Sequence, residues 1–208
     1  MSVLLLNGSA HEKRCTFTAL QEVARGLGDG GIDTSIVWIG KEALKPCIGC
    51  GGCRKTRRCA FGADDGINAL IDQLVAADGL VIGSPVYFAG VNGALKSCLD
   101  RMFFAGGSLY AAKPAACVVS ARRAGTTAAL EQIQKYPLYA QMPLVSSFYW
   151  PMVHGSQAEE VKQDLEGMQT AYYLGANMAW LIKSIQAGSA AGLTHPQLTD
   201  RAWTNFIR

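Results

Sequence analysis

No run of apolar residues in this 208-residue chain approaches the length needed to cross a bilayer. Nothing near its start combines a charged segment, an apolar stretch and a cleavage site. The expectation is a soluble, cytoplasmic protein that does not engage a membrane. Charge is sparse too: 17% of residues are charged, the net charge is +3, and no long basic run or basic and aromatic repeat occurs, so nucleic acid is not an expected partner. The loop after the first apolar run has neither Gly-x-Gly-x-x-Gly nor Gly-x-x-x-x-Gly-Lys, which argues against a dinucleotide fold and a P-loop ATPase. Seven cysteines is an odd count, and four of them crowd into residues 47–59. In a cytosolic chain that spacing points to metal or redox chemistry rather than a disulfide framework.

Half of the residues are apolar, enough to build one domain with a large core. Residues 2–6, 33–39, 80–82, 115–119 and 144–150 read as strands. Leu80-Val81-Ile82 has the unbroken apolar run of a strand covered on both faces. Helical spacing follows Thr18, with Leu20, Val23, Ala24 and Leu27. It recurs from Asp65 (Ile67, Leu70, Ile71, Leu74, Val75), from Val91 (Leu95, Cys98, Leu99, Met102), and from about residue 127 to Tyr136, where Pro137 is expected to end it. A long helix is expected over residues 159–187 with Val161, Leu165, Met168, Tyr172 and Leu181 inward. Strands alternating with helices imply an α/β fold with a parallel sheet. Right-handed crossovers favour five strands in the order 2-1-3-4-5 between two helical layers, a three-layer sandwich. Residues 1–187 would form this domain, and residues 188–208 a tail whose Trp203 and Phe206 suggest docking or an oligomer contact.

In that order the first and third strands are neighbours, so the loops at their carboxyl ends open into one crevice. The first loop, residues 7–18, offers the hydroxyls of Ser9, Thr16 and Thr18, the cations Lys13 and Arg14, and a helix N-terminus. All of these favour an anion such as phosphate. The competing reading is an ordinary helix capped by one of those hydroxyls. The second loop, Gly83-Ser84-Pro85-Val86-Tyr87-Phe88, offers aromatics for a flat ring, or packs them on a neighbouring element. A ligand with a phosphate and a planar ring is a mononucleotide, and flavin mononucleotide (FMN) is the economical choice.

Cys47, Cys50, Cys53 and Cys59 follow the pattern Cys-x2-Cys-x2-Cys-x5-Cys with glycines between, a spacing that lets thiolates converge on a [4Fe–4S] cluster. Arg54, Lys55, Arg57 and Arg58 would offset its negative charge. Structural zinc and free thiols are the alternatives. Cys15, Cys98 and Cys117 read as isolated small apolar residues. His11 and His154 lie near the crevice, but no catalytic role is assigned to either.

At Leu6-Asn7-Gly8-Ser9 with Thr16, at residues 83–88 with Gly93, and at Leu95-Lys96 with Leu99-Asp100-Arg101, the chain resembles the NAD(P)H-dependent FMN reductase family of flavodoxin-like proteins, including the iron-sulfur flavoproteins. The resemblance implies a noncovalent FMN. Its phosphate would lie on Ser9, Arg14, Thr16, Phe17 and Thr18. Its ring would lie against Ser84, Pro85, Val86, Tyr87 and Phe88, with the loop carrying Ser120, Arg122 and Gly125 nearby. The chain departs from the family pattern at Ala10-His11, Cys15 and Arg122-Arg123. The resemblance also implies NAD(P)H as reductant, a homodimer or homotetramer, and in the iron-sulfur members a cluster exchanging electrons with FMN. Three functions are therefore weighed: an FMN oxidoreductase passing electrons from NAD(P)H to an acceptor, an iron-sulfur electron carrier, and a scaffold that has lost its flavin.

Overall fold

The computed structural model describes residues 1–197 together with 199, 202 and 204; Trp203 and Phe206 lie outside the described residues. The strands are β1 (Ser2–Asn7), β2 (Asp33–Trp38), β3 (Gly79–Tyr87), β4 (Gly90–Val91), β5 (Ala115–Ala121) and β6 (Met152–His154). The helices are α1 (Cys15–Asp29), α2 (Cys53–Thr56), α3 (Ile67–Ala76), α4 (Gly93–Gly106), α5 (Thr126–Tyr139), α6 (Ala158–Val161) and α7 (Leu165–Ala190). The sheet runs β2-β1-β3-β5-β6 with every neighbouring pair parallel, while β4 is a short antiparallel flap on β3. With that flap set aside, this is the expected five-strand order. Among the described residues no helix is long and apolar enough to cross a membrane.

Alternation along the central strands divides the interior in two. Leu4, Leu6, Leu80, Ile82, Cys117 and Val119 face α3, α4 and α5, while Val3, Leu5, Val81, Ala116 and Val118 face α1 and α7. Both faces are apolar because both are covered, which is why these strands lack a polar period.

Several expectations need correction. The third strand continues to Tyr87, so residues 83–87, expected as loop, are sheet, and Val91 lies in β4 rather than at a helix start. The last strand is Met152–His154, not residues 144–150. After a single bridge between Leu144 and Ala115 the chain leaves the sheet, and Phe148, Tyr149 and Trp150 are exposed. Pro137 lies inside α5 rather than after it. Helical bonding carries past it because the Ala140 and Met142 amides donate to its carbonyl. The long C-terminal helix is split at residues 162–164, where the Asp164 carboxylate caps α7 by accepting the Gly167 N–H at 3.0 Å. Its buried face is built largely from Gly167, Thr170, Ala171, Gly175 and Ala179, while Leu165 is exposed. Small residues let α7 lie close on α1. Val75 of α3 is also exposed, outside that helix's buried stripe.

Several acids that burial holds in their neutral form, Cys98 and the half-buried Tyr136 among them, give the fold a limit at high pH. Burial pushes the Cys98 thiol up to about 12. Burial, then the hydrogen bond with Asp100, pushes the Tyr136 phenol up to about 12. Both groups stay protonated in the folded chain beyond the pH at which the unfolded chain ionises. Their contribution to stability is therefore whole below about pH 9 and is lost as pH rises through about 12. Urea midpoints should hold level to about pH 9 and fall steadily above it, with Cys98→Ala reducing the early part of the fall, which the buried Cys117 thiol shares because burial pushes it up as well.

Candidate active site

The crevice begins where β1 and β3 end together. Asn7 pairs with Gly83, and the Gly8 N–H donates to the Gly83 carbonyl at 2.9 Å. Only glycine fits at position 8, since a Cβ there would stand 2.5 Å from Leu95 Cδ2 and 2.9 Å from the Gly83 oxygen. The loop beyond it is held by its own polar groups. The Asn7 side chain accepts the Ser9 N–H at 3.1 Å and donates to the Glu12 carbonyl at 2.8 Å, and Trp38 Nε1 donates to the Ser9 carbonyl at 2.7 Å. Ser9 Oγ accepts the His11 N–H at 3.1 Å, and a hydroxyl that accepts still has its own hydrogen to donate.

The helix after this loop is not an ordinary capped one. The N-cap of α1 is Arg14, in extended conformation with no capping side-chain hydrogen bond, and the first turn holds no acidic residue. The first-turn amides and the positive end of the helix dipole thus face the loop without a side-chain acceptor. Arg14 is exposed, Phe17 half-buried, and Ser9, Thr16 and Thr18 buried. Thr18 donates to the Arg14 carbonyl at 3.3 Å, which turns its hydroxyl hydrogen back into the helix. Thr16 Oγ1 lies 2.8 Å from Ser120 Oγ, which ties the first turn of α1 to the end of β5. Cys15, the first residue of α1, places its sulfur 3.5 Å from the Gly155 carbonyl, and burial pushes its thiol up.

Opposite this turn, β3 and β4 form a hairpin whose two turn residues, Phe88 and Ala89, have φ of 50° and 57°. Both positions of such a tight turn need the left-handed region, which costs a residue other than glycine. Phe88 projects fully from the tip and Tyr87 is about half exposed. Ser84 is buried, donating to the Pro85 carbonyl at 2.7 Å and accepting the Asn92 N–H at 3.4 Å; Asn92 in turn caps α4 through the Ala94 N–H at 2.8 Å. Gly125 sits against the hairpin at φ +92°, where a Cβ would come within 2.8 Å of Ala89 Cα. Arg122 is exposed on the same loop. A cleft of about 330 Å³ is lined by Ala10 of the first loop, Tyr87 of the hairpin, Asn92 and Ser97 of the α4 region, and residues 40–44 after β2. One residue of the first loop, Ala10, and one of the hairpin, Tyr87, thus meet on this hollow, whereas the other residues expected at the phosphate and the ring do not line it. The contributions of Asn92 and residues 40–44 were not anticipated. Asn before Gly-Ala-Leu-Lys is a legible cap signal, whereas residues 40–44 have no pattern that marks them.

Cys47, Cys50, Cys53 and Cys59 line one hollow of about 120 Å³, together with Ile48, Phe61, Arg101 and Phe104. Gly49 and Gly51, at φ +66° and +71°, bend the loop around it. Among the described residues no three His, Cys, Asp or Glu side chains converge as a single ion would need. Of the basic residues expected here, Arg54 lines the hollow, whereas Arg58 turns outward to Asp72, donating at 2.6 and 2.9 Å. The guanidinium that reaches a sulfur is that of Arg101, whose Nε lies 3.2 Å from Cys59 Sγ.

A doubly covered parallel sheet, an uncapped helix N-terminus beside its switch point and an aromatic hairpin across from it define a flavodoxin-like protein with a crevice for a phosphorylated ring. The chain belongs to the NADPH-dependent FMN reductase family, whose description matches residues 1–157, and is an FMN-dependent oxidoreductase. An iron-sulfur flavoprotein of Methanocaldococcus jannaschii is 29% identical over 194 residues, 89% of this chain and 100% of that protein. Among solved structures, RosB with a bound 8-demethyl-8-formylriboflavin-5'-phosphate intermediate superimposes with a TM-score of 0.69 at 16% identity, covering 100% of this chain and 93% of that one. An archaeal flavodoxin gives 0.58 at 13% identity, covering 88% and 98%.

Proposed function

We propose that this oxidoreductase takes reducing equivalents from NAD(P)H at the crevice and delivers them to a separate small-molecule or protein acceptor, with a [4Fe–4S] cluster held by Cys47, Cys50, Cys53 and Cys59 as its second redox group. One observation carries the reading: a single segment of chain walls both hollows, residues 40–44 lining the cleft and residues 46–61 contributing to the cysteine hollow. The two sites are adjacent by construction.

When bound, FMN accepts a hydride and releases electrons singly, and a cubane cluster carries one electron at a time. The chain's own residues supply binding and orientation. The α1 amides, Ser9, Arg14, Thr16, Phe17 and Thr18 would hold the phosphate. Ser84, Pro85, Val86, Tyr87, Phe88, Ser120, Arg122 and Gly125 would lie on the ring side. The donor set of four cysteines in the spacing Cys-x2-Cys-x2-Cys-x5-Cys, all lining one hollow, supports the cluster. Structural zinc on the same four thiolates is the competing occupant, and metal analysis separates the two. The uncapped α1 argues against a scaffold without flavin, because such a scaffold gains by capping that helix. A homodimer or homotetramer is proposed on the family resemblance.

Anaerobically purified protein, reconstituted with iron and sulfide, should carry one FMN and about four irons per chain. Anaerobic NADH or NADPH should bleach the flavin absorption. Cys59→Ser should lose most of the iron while binding FMN within about threefold of the parent, a change below about 1 kcal/mol. Wild-type protein with zinc, or with no iron after reconstitution, contradicts the cluster assignment. Flavin that neither nucleotide reduces contradicts the NAD(P)H assignment.

A further inference from the structure

Among the described residues Arg101 is the largest side chain that the fold buries completely, with 1% of its side chain exposed. Removing a guanidinium from water is costly unless its donors are met, and four hydrogen bonds meet those of Arg101 in an asymmetric way. The terminal nitrogens face Asp65, through an NH1 ion pair and an NH2 hydrogen bond of 3.1 Å, and NH1 also donates to the Lys45 carbonyl at 3.3 Å. The Nε edge faces the Cys59 sulfur at 3.2 Å. The ion pair thus presents its positive end to the cysteine hollow and keeps its carboxylate on the far side.

Cys59 is fixed independently of that contact. Its N–H donates to Asn68 Oδ1 at 2.9 Å, and its carbonyl accepts from Asn68 Nδ2 at 3.1 Å and from the Gly62 N–H at 3.0 Å. Asp65 is fixed at the start of α3, where it accepts the Ile67 N–H at 3.4 Å. Lys45 lies in the segment between the two hollows, so Arg101 also pins that connection. A thiol sulfur is a poor hydrogen-bond acceptor. A sulfur that ligates metal carries negative charge and is a far better one. A buried cation aimed at a weak acceptor makes physical sense if the sulfur is charged when the site is filled.

We infer that Arg101 is a positioning residue for the cluster: it orients the Cys59 sulfur and raises the cluster's reduction potential by placing an oriented positive charge against that ligand. The inference rests on the cluster assignment above. Reduction adds negative charge to the cluster, and hydrogen bonds to its sulfurs and nearby positive charge favour the reduced form. Asp65 works in the opposite direction by partly cancelling that charge.

The two residues therefore predict shifts of opposite sign. In the reconstituted holoprotein with FMN bound, Arg101→Met should lower the reduced-to-oxidised ratio of the cluster at fixed applied potential about tenfold, a midpoint about 59 mV lower for a one-electron couple. Asp65→Asn should move the midpoint upward. Arg101→Lys, which keeps charge but not the Nε contact, should fall between Arg101→Met and the parent. A merely structural ion pair gives no such ordering, because breaking it from either side disturbs the same loop. If Arg101→Met loses its iron, the comparison of Arg101→Lys with Asp65→Asn decides by the same sign. Midpoints that stay put, or move together in both variants, overturn the role of Arg101. Wild-type protein that takes no iron fails earlier, at the cluster assignment, and removes this inference with it.

Discussion

Arg14→Asp should make the folded chain more stable and, in the same protein, weaken FMN binding by at least about a hundredfold. Arg14 occupies the N-cap of α1 with an extended backbone (φ −126°, ψ −152°), and no side chain there accepts from the first-turn amides. Aspartate is among the best N-caps, and supplying one adds about 0.5–2 kcal/mol. In a domain of this size each kcal/mol raises Tm by about 2–4 °C. The same carboxylate takes the amides the ligand's phosphate would use and repels it. Losing a charge-assisted contact costs about 1.5–3 kcal/mol before the repulsion is counted, and about 2.8 kcal/mol is a hundredfold in Kd. Arg14→Ala, with neither charge nor cap, should leave Tm nearly unchanged and weaken FMN about tenfold. Thermal melts without flavin and fluorescence titrations with FMN read the two effects separately. A stabilised Arg14→Asp variant that binds FMN as the parent does would show that the phosphate lies elsewhere.

Gly175→Val should be the most damaging single change in the helical layers. A Cβ at Gly175 of α7 would stand 2.1 Å from the Val23 carbonyl oxygen of α1, and one at Gly26 of α1 would stand 2.1 Å from the Tyr172 carbonyl oxygen of α7. Each glycine faces the other helix's backbone, so no side chain can rotate away and the helices must separate. Overpacking of a core costs about 1–3 kcal/mol when side chains can adjust. Here they cannot, and about 4 kcal/mol, a fall in Tm on the order of 10 °C, is expected. At Gly28, also in α1, an added methyl would meet nothing within 4 Å. Gly28→Ala should therefore stabilise by about 0.5–1 kcal/mol, as alanine does in an open helical position. Urea unfolding of the two variants gives the contrast directly. Because the proposed phosphate site lies at the other end of α1, Gly175→Val should also loosen flavin binding at temperatures where the protein is still folded.

The central strands were legible because burial on both faces leaves one kind of residue. Leu80-Val81-Ile82 and residues 115–119 have no polar period to mislead a reader. The hairpin was not legible. Pro85 and Gly90 break a strand pattern, and its left-handed turn uses Phe88 and Ala89, where glycine or asparagine would have signalled it. Residues 144–150 misled in the other direction: apolar and aromatic residues suggested a strand, but the chain leaves the sheet after one bridge and exposes its aromatics. On α7 the first half of the buried stripe is glycine, alanine and threonine, with Leu174, Met178 and Ile182 joining it only further along, so the spacing of large apolar residues pointed to Leu165, which is exposed. The cysteine spacing announced a site. Its buried cation stayed hidden, because an arginine in a helix ordinarily faces water and only the tertiary contact with Asp65 and Cys59 brings Arg101 inside.

The central claim is that the loop after β1 and the β3–β4 hairpin hold one phosphorylated flavin together, with the phosphate at the N-terminus of α1. Equilibrium titration of flavin-stripped wild-type protein with FMN and with riboflavin, which differ only by that phosphate, tests it most directly. The account predicts one FMN per chain and at least about a hundredfold weaker riboflavin, the discrimination of about 2.8 kcal/mol that a charge-assisted anion site supplies. Equal affinity for the two, or no uptake of either, would contradict it.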